Sequence, residues 1–240
     1  MPTISVLIPC YNEALYIWTA VKSVLRQSFH DWELIIVDDG SIDATPAALD
    51  KILRRCSQQS VMTSWQSHCG CAAATKHAIA LATSPLCTIL DGDDELEVDS
   101  LKTIVEFFQD HPEIGYAWSR YRARVENGGK WKEGRSKPLP EGKNLKEALL
   151  SGWWGALAQR SFRKEAYART SGIDGSLPFA VDQQLAMLFA NAGVPAVHIP
   201  TVTYLHLQHS QQMSAHHYKD QQRCRGEILK RLGGKYVRER

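Results

Sequence analysis

The chain has 240 residues, with 28 basic and 26 acidic side chains, a net charge of +2, 44% apolar residues and 22% charged ones. That length suits one domain with a substantial core, and the balanced charge excludes a dedicated nucleic-acid binder, which would carry a strongly basic face. No apolar run reaches the ~18 residues of a membrane span, and the chain opens directly into strand-like sequence without a signal peptide, so a cytoplasmic protein is expected.

Ile4-Ser5-Val6-Leu7-Ile8, closed by Pro9, predicts a buried strand. A helix follows over about 14–27, with Ile17, Ala20, Val21, Val24 and Leu25 on one face. Trp32 to Val37 predicts a second strand ending in Asp38-Asp39-Gly40-Ser41, after which Thr45 offers a hydroxyl cap and Pro46 starts a helix. The pattern repeats with a strand at 60–66, a helix at about 72–82, a strand at 86–90 and a helix at 99–109 that ends before Pro112. Strands alternating with helices at this spacing predict βαβ units and an α/β fold with a mainly parallel sheet flanked by helices. In such sheets ligands bind beyond the carboxyl ends of the strands. Three polar loops at 10–13, 38–41 and 91–94 follow strand ends and are expected on one rim.

The second half is less regular. Gly115 to Val125 predicts a strand, and Asn127-Gly128-Gly129 a hairpin turn leading to Trp131. An exposed loop is expected over 130–143, then a helix over 146–150 capped by Asn144. Phe162 to Arg169 predicts a helix, Ser171 to Gly175 a turn, and about 182–192 a further helix stopped by Gly193 and Pro195. Val202 to Leu207 reads as a last strand or as loop. The expected division is one domain of two halves, 1–110 and 111–215, and a basic helix at 216–240. Within that helix, the basic residues of 223–240 surround Ile228, Leu229 and Leu232, a pattern that either meets an anionic membrane surface peripherally or is a solvated terminal helix. The six cysteines are expected to be reduced, and Cys69-x-Cys71 lacks the second pair a structural zinc site needs.

The densest chemical signal is Asp91-Gly92-Asp93-Asp94-Glu95, four carboxylates within five positions at a predicted strand end. Such crowding needs a neutralising cation, because close carboxylates repel and shift one another's pKa. Mn²⁺ or Mg²⁺, held by Asp91, Asp93 and Asp94 together with a substrate diphosphate, fits that need; an acidic turn leading into a helix is the other reading. Asp39, at the neighbouring strand end, either accepts a hydrogen bond from a base or ribose or is itself a turn carboxylate. Neither G-x-x-x-x-G-K-[ST] nor G-x-G-x-x-G is present, so the phosphates would be neutralised by metal and side chains rather than by a P-loop. A metal-bound diphosphate is a good leaving group, and on a sugar its departure calls for one more carboxylate to deprotonate an acceptor hydroxyl. Asp182 is the first candidate base and Asp174 the second, with helix N-cap the competing role for Asp182.

As a set, Ser5-Val6-Leu7-Ile8-Pro9-Cys10-Tyr11-Asn12-Glu13, Val37-Asp38-Asp39-Gly40-Ser41 and Leu90-Asp91-Gly92-Asp93-Asp94 resemble the signature segments of family 2 glycosyltransferases. Ser171-Gly172-Ile173-Asp174 resembles the family's G-G-F-D turn, and His209 to Ser214 its H-x-x-S-x-S tail with Gln212 at the first Ser. The resemblance covers about residues 3–214 and is most specific in the first hundred. It implies a single glycosyltransferase-A domain with its nucleotide-binding half at 1–110 and acceptor-side half at 111–215, a nucleotide-sugar donor, often with uracil, Mn²⁺ or Mg²⁺, and inversion by direct displacement. It further implies that Asp39 binds the base, that Pro9, Tyr11 and Glu13 line the nucleotide pocket, and that Asp91 and Asp93 bridge ribose and metal with Asp94 alongside. Asp182 stands where the family has its base, and His209 where an additional metal ligand stands.

The chain departs from the family at Val181, which replaces a Glu, at Gln184, often acidic, and at His68 and His77, where Asn is common. Trp153 and Trp154 either stack on an acceptor sugar or serve as core or hinge. The expected function is transfer of a sugar from a UDP-sugar to a glycan or lipid-linked acceptor in cell-surface polysaccharide synthesis, at the cytosolic face of a membrane. The alternative is a catalytically impaired relative that retains nucleotide binding and acts as a partner module.

Overall fold

The computed structural model describes residues 1–231 apart from 58, 127, 135, 156 and 157. The Asn127 turn and the 232–240 part of the basic segment lie outside the described residues. In chain order the elements are β1 (Ile4–Cys10), α1 (Ile17–Leu25), β2 (Trp32–Asp38), α2 (Thr45–Arg55), β3 (Val61–Trp65), α3 (Cys71–Leu81), β4 (Leu86–Ile89), β5 (Glu95–Leu96) and α4 (Ser100–Asp110). The second half adds β6 (Tyr116–Val125), β7 (Lys132–Glu133), α5 (Leu145–Leu150), β8 (Ser161–Arg163), α6 (Lys164–Ala168), α7 (Val181–Asn191), β9 (Ala196–Gln208), α8 (Met213–His216) and α9 (Tyr218–Arg231).

One sheet runs β3-β2-β1-β4-β8-β6-β9-β5, with β7 paired to β6. Its first half is parallel, β1 lying between β2 and β4 with β3 outside β2, as the βαβ spacing predicts. The second half is mixed: β8 runs antiparallel to both β4 and β6, β5 is antiparallel to β9, and β6 and β9 pair in parallel. Both faces are covered, so β1 and β2 read as continuous apolar runs. Ile4, Val6 and Ile8 pack with α1, α2 and α4, while Leu7, Ile35 and Val37 pack with α3, α5, α7 and α9. Pro9 lies past the last β1/β4 pair, Leu7/Ile89, where its missing N–H costs no ladder bond.

Several local expectations need correction. The helix expected at Phe162 to Arg169 is split, because Phe162 is fully buried in β8 between β4 and β6 and only 164–168 is helical. Local periodicity cannot see that a three-residue strand completes a sheet. Thr45 does not cap α2; its hydroxyl instead accepts the Glu13 backbone N–H at 2.8 Å. Asn144 does cap α5, in a capping box with Glu147.

The basic terminal helix is packed onto the domain. Ile228 and Leu229, the apolar residues of the expected stripe that lie in the described part, are buried in the core with α7. Burial of that stripe leaves only the basic side chains of the described part of α9 for any anionic surface. Among the described residues no helix is long and apolar enough to cross a membrane.

Candidate active site

The loops after β1, β2 and β4 meet on one rim, as their positions at parallel strand ends require. Asn12, at φ +57, links the first two: its N–H donates to Ser41 Oγ and its Oδ1 accepts from Ile42 N, both at 2.9 Å. Gly92 carries the third loop against them, since a Cβ there would stand 3.2 Å from Glu13 Cγ and 3.3 Å from Cys10 Cβ. Glu13, Asp91, Asp93 and Asp94 therefore share one low-dielectric corner. Burial first, then the charges of Asp93, Asp91 and Asp94, push the Glu13 carboxyl up to about 9. Burial and the Asp94 and Asp91 charges push Asp93 up to about 6.

Each of the three aspartates has its own partner, contributed by the second half. Asp91 is gripped by the buried Arg160, whose Nη2 lies 2.9 and 3.0 Å from the two carboxylate oxygens, and it also accepts from Tyr204 Oη at 3.1 Å. Asp94 faces His206 Nδ1 at 3.1 Å and accepts from Leu207 N at 2.8 Å. Burial works against protonation of His206, but the bond to Asp94 and that residue's charge prevail and raise the imidazole to about 9. Asp93 Oδ2 lies 2.9 Å from His209 Nε2, and the His209 ring packs against Tyr16 while its buried Nδ1 has no hydrogen-bond partner. Among the described residues no three His, Cys, Asp or Glu side chains converge as a ready-made metal cage.

Asp39 is buried at the end of β2. Its Oδ1 accepts from Gln66 Nε2 at 2.7 Å and Cys69 N at 3.0 Å, and its Oδ2 accepts from Gly70 N at 2.7 Å. His68 Nδ1 reaches Oδ2 at 2.8 Å, with its ring stacked on the exposed Tyr11 at 4.1 Å between centroids. His77, the other departure from Asn, braces Gln66 through Nδ1 at 2.9 Å.

Asp182 is not a cap. Ala180, in the left-handed region at φ 61, precedes α7, and Asp182 lies in its first turn. Burial raises its proton affinity, while Arg160 and the backbone N–H of Gln183 oppose the rise. Asp174 has the opposite character: Ser176 and Arg231 bond to its carboxylate and hold it down at about 2. Val181 packs in the core. The buried Gln184 accepts from Asp174 N at 3.1 Å and donates to Leu177 O at 3.0 Å, tying α7 to the 174–177 turn. Trp153 packs edge-on against Trp118, and Trp154 carries the Arg225 guanidinium 4.6 Å from its ring centroid; both side chains are half-buried.

Sequence reasoning missed Arg160, Tyr204 and His206. Tyr204 and His206 stood two apart in a predicted strand and so shared a face. Arg160 fell just before a segment read as helix, and no local signal marked it.

A family model, Glycosyl transferase family 2, matches residues 5–170 of this chain. The chondroitin synthase of Escherichia coli is 27% identical over 214 residues, 89% of this chain and 30% of that protein. The putative teichuronic acid biosynthesis glycosyltransferase TuaG of Bacillus subtilis is 32% identical over 127 residues, 53% of this chain and 50% of that one. Among solved structures, S. aureus TarS 1–349 in complex with UDP-GlcNAc superposes with a TM-score of 0.73 at 19% identity, covering 99% of this chain and 68% of that one. The mannosyltransferase PcManGT from Pyrobaculum calidifontis, in complex with GDP-Man and Mn²⁺, gives 0.71 at 19% identity, covering 99% and 66%.

The fold is that of a glycosyltransferase-A domain. The chain belongs to glycosyl transferase family 2 and spans between a fifth and a third of the length of the chondroitin synthases it matches.

Proposed function

We propose that this domain moves a sugar, with inversion, from a nucleotide-diphosphate sugar to a hydroxyl of a glycan or lipid-linked acceptor in cell-surface polysaccharide synthesis. The observation that carries the reading is the convergence of Glu13, Asp91, Asp93 and Asp94 on one rim of strand ends, with Arg160, His206 and His209 bonded to the three aspartates. Asp182, in the first turn of α7 and with its proton affinity raised by burial, is suited to general-base work, whereas Asp174, held at about 2, is not. Asp182 would take the acceptor proton as the acceptor oxygen bonds to the anomeric carbon and the sugar–phosphate bond breaks. The bonding pair leaves with the diphosphate.

The donor site would be built from Pro9, Tyr11, Glu13 and Asp39 around the base and from Asp91 and Asp93 toward ribose and diphosphate. The relatives support a polysaccharide pathway, chondroitin and teichuronic acid both being polymers, and the UDP-GlcNAc complex of TarS supports a UDP-sugar.

The residues fit a hard divalent ion. Glu13, Asp91, Asp93 and Asp94 crowd one corner in which burial and mutual charge push Glu13 up to about 9 and Asp93 up to about 6, a crowding a divalent cation would relieve, and His209 Nε2 faces Asp93 Oδ2 at 2.9 Å. Two protein ligands also suit ions that complete their shell with water and substrate phosphates. Asp93 and His209 would hold Mn²⁺ or Mg²⁺, with Asp94 alongside oriented by His206. The chemistry such an ion supplies when bound is Lewis-acid stabilisation of charge on the departing diphosphate.

Calorimetric titration with UDP, with and without Mn²⁺, on wild type and Asp93→Ala tests the reading. Metal-dependent binding that Asp93→Ala abolishes is expected. No binding of UDP, GDP or dTDP under any metal condition would sink it.

A further inference from the structure

The Asp39 carboxylate is full. Two oxygens offer about four acceptor positions, and Gln66, Cys69, Gly70 and His68 supply four donors. Three of these donors are fixed in place. Gln66 is braced by His77, and the other two are backbone N–H groups of a seated loop. A Cβ on Gly70 (φ +94) would stand 2.6 Å from Pro178 Cβ, and one on Gly40 (φ +72) 2.7 Å from His68 N. The fourth is different in kind. The His68 side chain is 54% exposed and, unlike Gln66, its Nδ1 bonds to Asp39 without a bracing side chain.

Both neighbours of His68 Nδ1, Asp39 Oδ2 and the Asp39 carbonyl, are acceptors, so Nδ1 carries the proton. The imidazole thus presents what a nucleobase presents, a flat ring against Tyr11 with a ring N–H aimed at Asp39.

We propose that His68 is a built-in stand-in for the nucleobase, occupying the Tyr11 face and the Asp39 acceptor until a base displaces it. This rests on the reading of Asp39 and Tyr11 as the base slot. The displacing base must itself offer a ring N–H, as uracil, thymine and guanine do and cytosine and adenine do not. One hydrogen bond and one stack are exchanged for another, so the apparent affinity is the intrinsic one multiplied by the fraction of molecules in which the slot is open.

The test is calorimetric titration of wild type, His68→Ala and Tyr11→Ala with UDP and CDP at saturating Mn²⁺. Loss of the competitor should tighten UDP binding by about three- to tenfold in His68→Ala, and loss of the stacking face should weaken it by about tenfold in Tyr11→Ala. CDP should gain nothing from His68→Ala. In the wild type, the His68 imidazole NMR resonances should move on UDP saturation, reporting release from the Tyr11 ring. Unchanged or weakened UDP binding in His68→Ala, an equal gain for CDP, or imidazole resonances that UDP leaves unmoved would each overturn the proposal. Absence of UDP binding in all three proteins would overturn the donor-site reading itself, a distinct result.

Discussion

Arg160 Nη2 stands 2.9 and 3.0 Å from the two oxygens of Asp91, so a buried guanidinium from just before β8 holds the first aspartate of the acidic loop. Breaking a buried ion pair from one side leaves the other charge uncompensated, at a cost of about 3–5 kcal/mol for full burial. Asp91 is 40% exposed, which discounts the effect to about 2 kcal/mol. Arg160→Met is therefore expected to lower the unfolding free energy from urea titration by that amount, with Arg160→Lys recovering part of it. Identical unfolding curves for wild type and Arg160→Met would show that the pair contributes nothing.

If Asp182 is the base, Asp182→Asn should lower kcat/KM by about 10²- to 10⁴-fold while UDP affinity stays within twofold. Burial raises the Asp182 pKa. A base works deprotonated, so activity should be lost as pH falls through a value above the ordinary Asp range of about 4. An acid limb below that range, or a rate-silent Asp182→Asn, would remove Asp182 from the role.

Gln184→Glu would restore the acidic residue frequent in the family, yet here it should be harmful. A carboxylate can still accept from Asp174 N but cannot donate to Leu177 O. Leaving that carbonyl facing a carboxylate should cost about 1–3 kcal/mol and loosen the turn in front of Asp182. A thermal midpoint equal to or above wild type would refute this.

Glu33 ties β2 to the loop before β4. Its Oε1 accepts from Thr83 N at 2.7 Å, Thr83 Oγ1 at 2.9 Å and Ser84 N at 3.1 Å. Burial alone would raise its pKa, but bonds from Ser5, Thr83 and Ser84 outweigh burial and lower it. The stabilisation is present above the unfolded Glu value of about 4.3 and fades as pH falls through the lower folded value. Glu33→Gln should cost about 1–2 kcal/mol at pH 7, and the difference from wild type should shrink toward pH 3 in urea titrations.

The sequence by itself determined the parallel half of the sheet, because β1, β2 and β4 are buried on both faces and each turns polar at its carboxyl end. From that follow the shared rim and the candidates Asp39, Asp91, Asp93 and Asp94. Asn144 as cap and Asp182 in the first turn of a helix were legible for the same local reasons. Only the tertiary structure decided how those charges are compensated. Arg160, Tyr204, His206 and His209 lie 69 to 116 residues from the aspartates they bond. They arrive through β8 and β9, whose places in the sheet depend on strand pairing across the domain rather than on any nearby pattern. The fate of Ile228 and Leu229 was decided in the same way, since an amphipathic helix reads alike whether its apolar stripe meets lipid or a protein core.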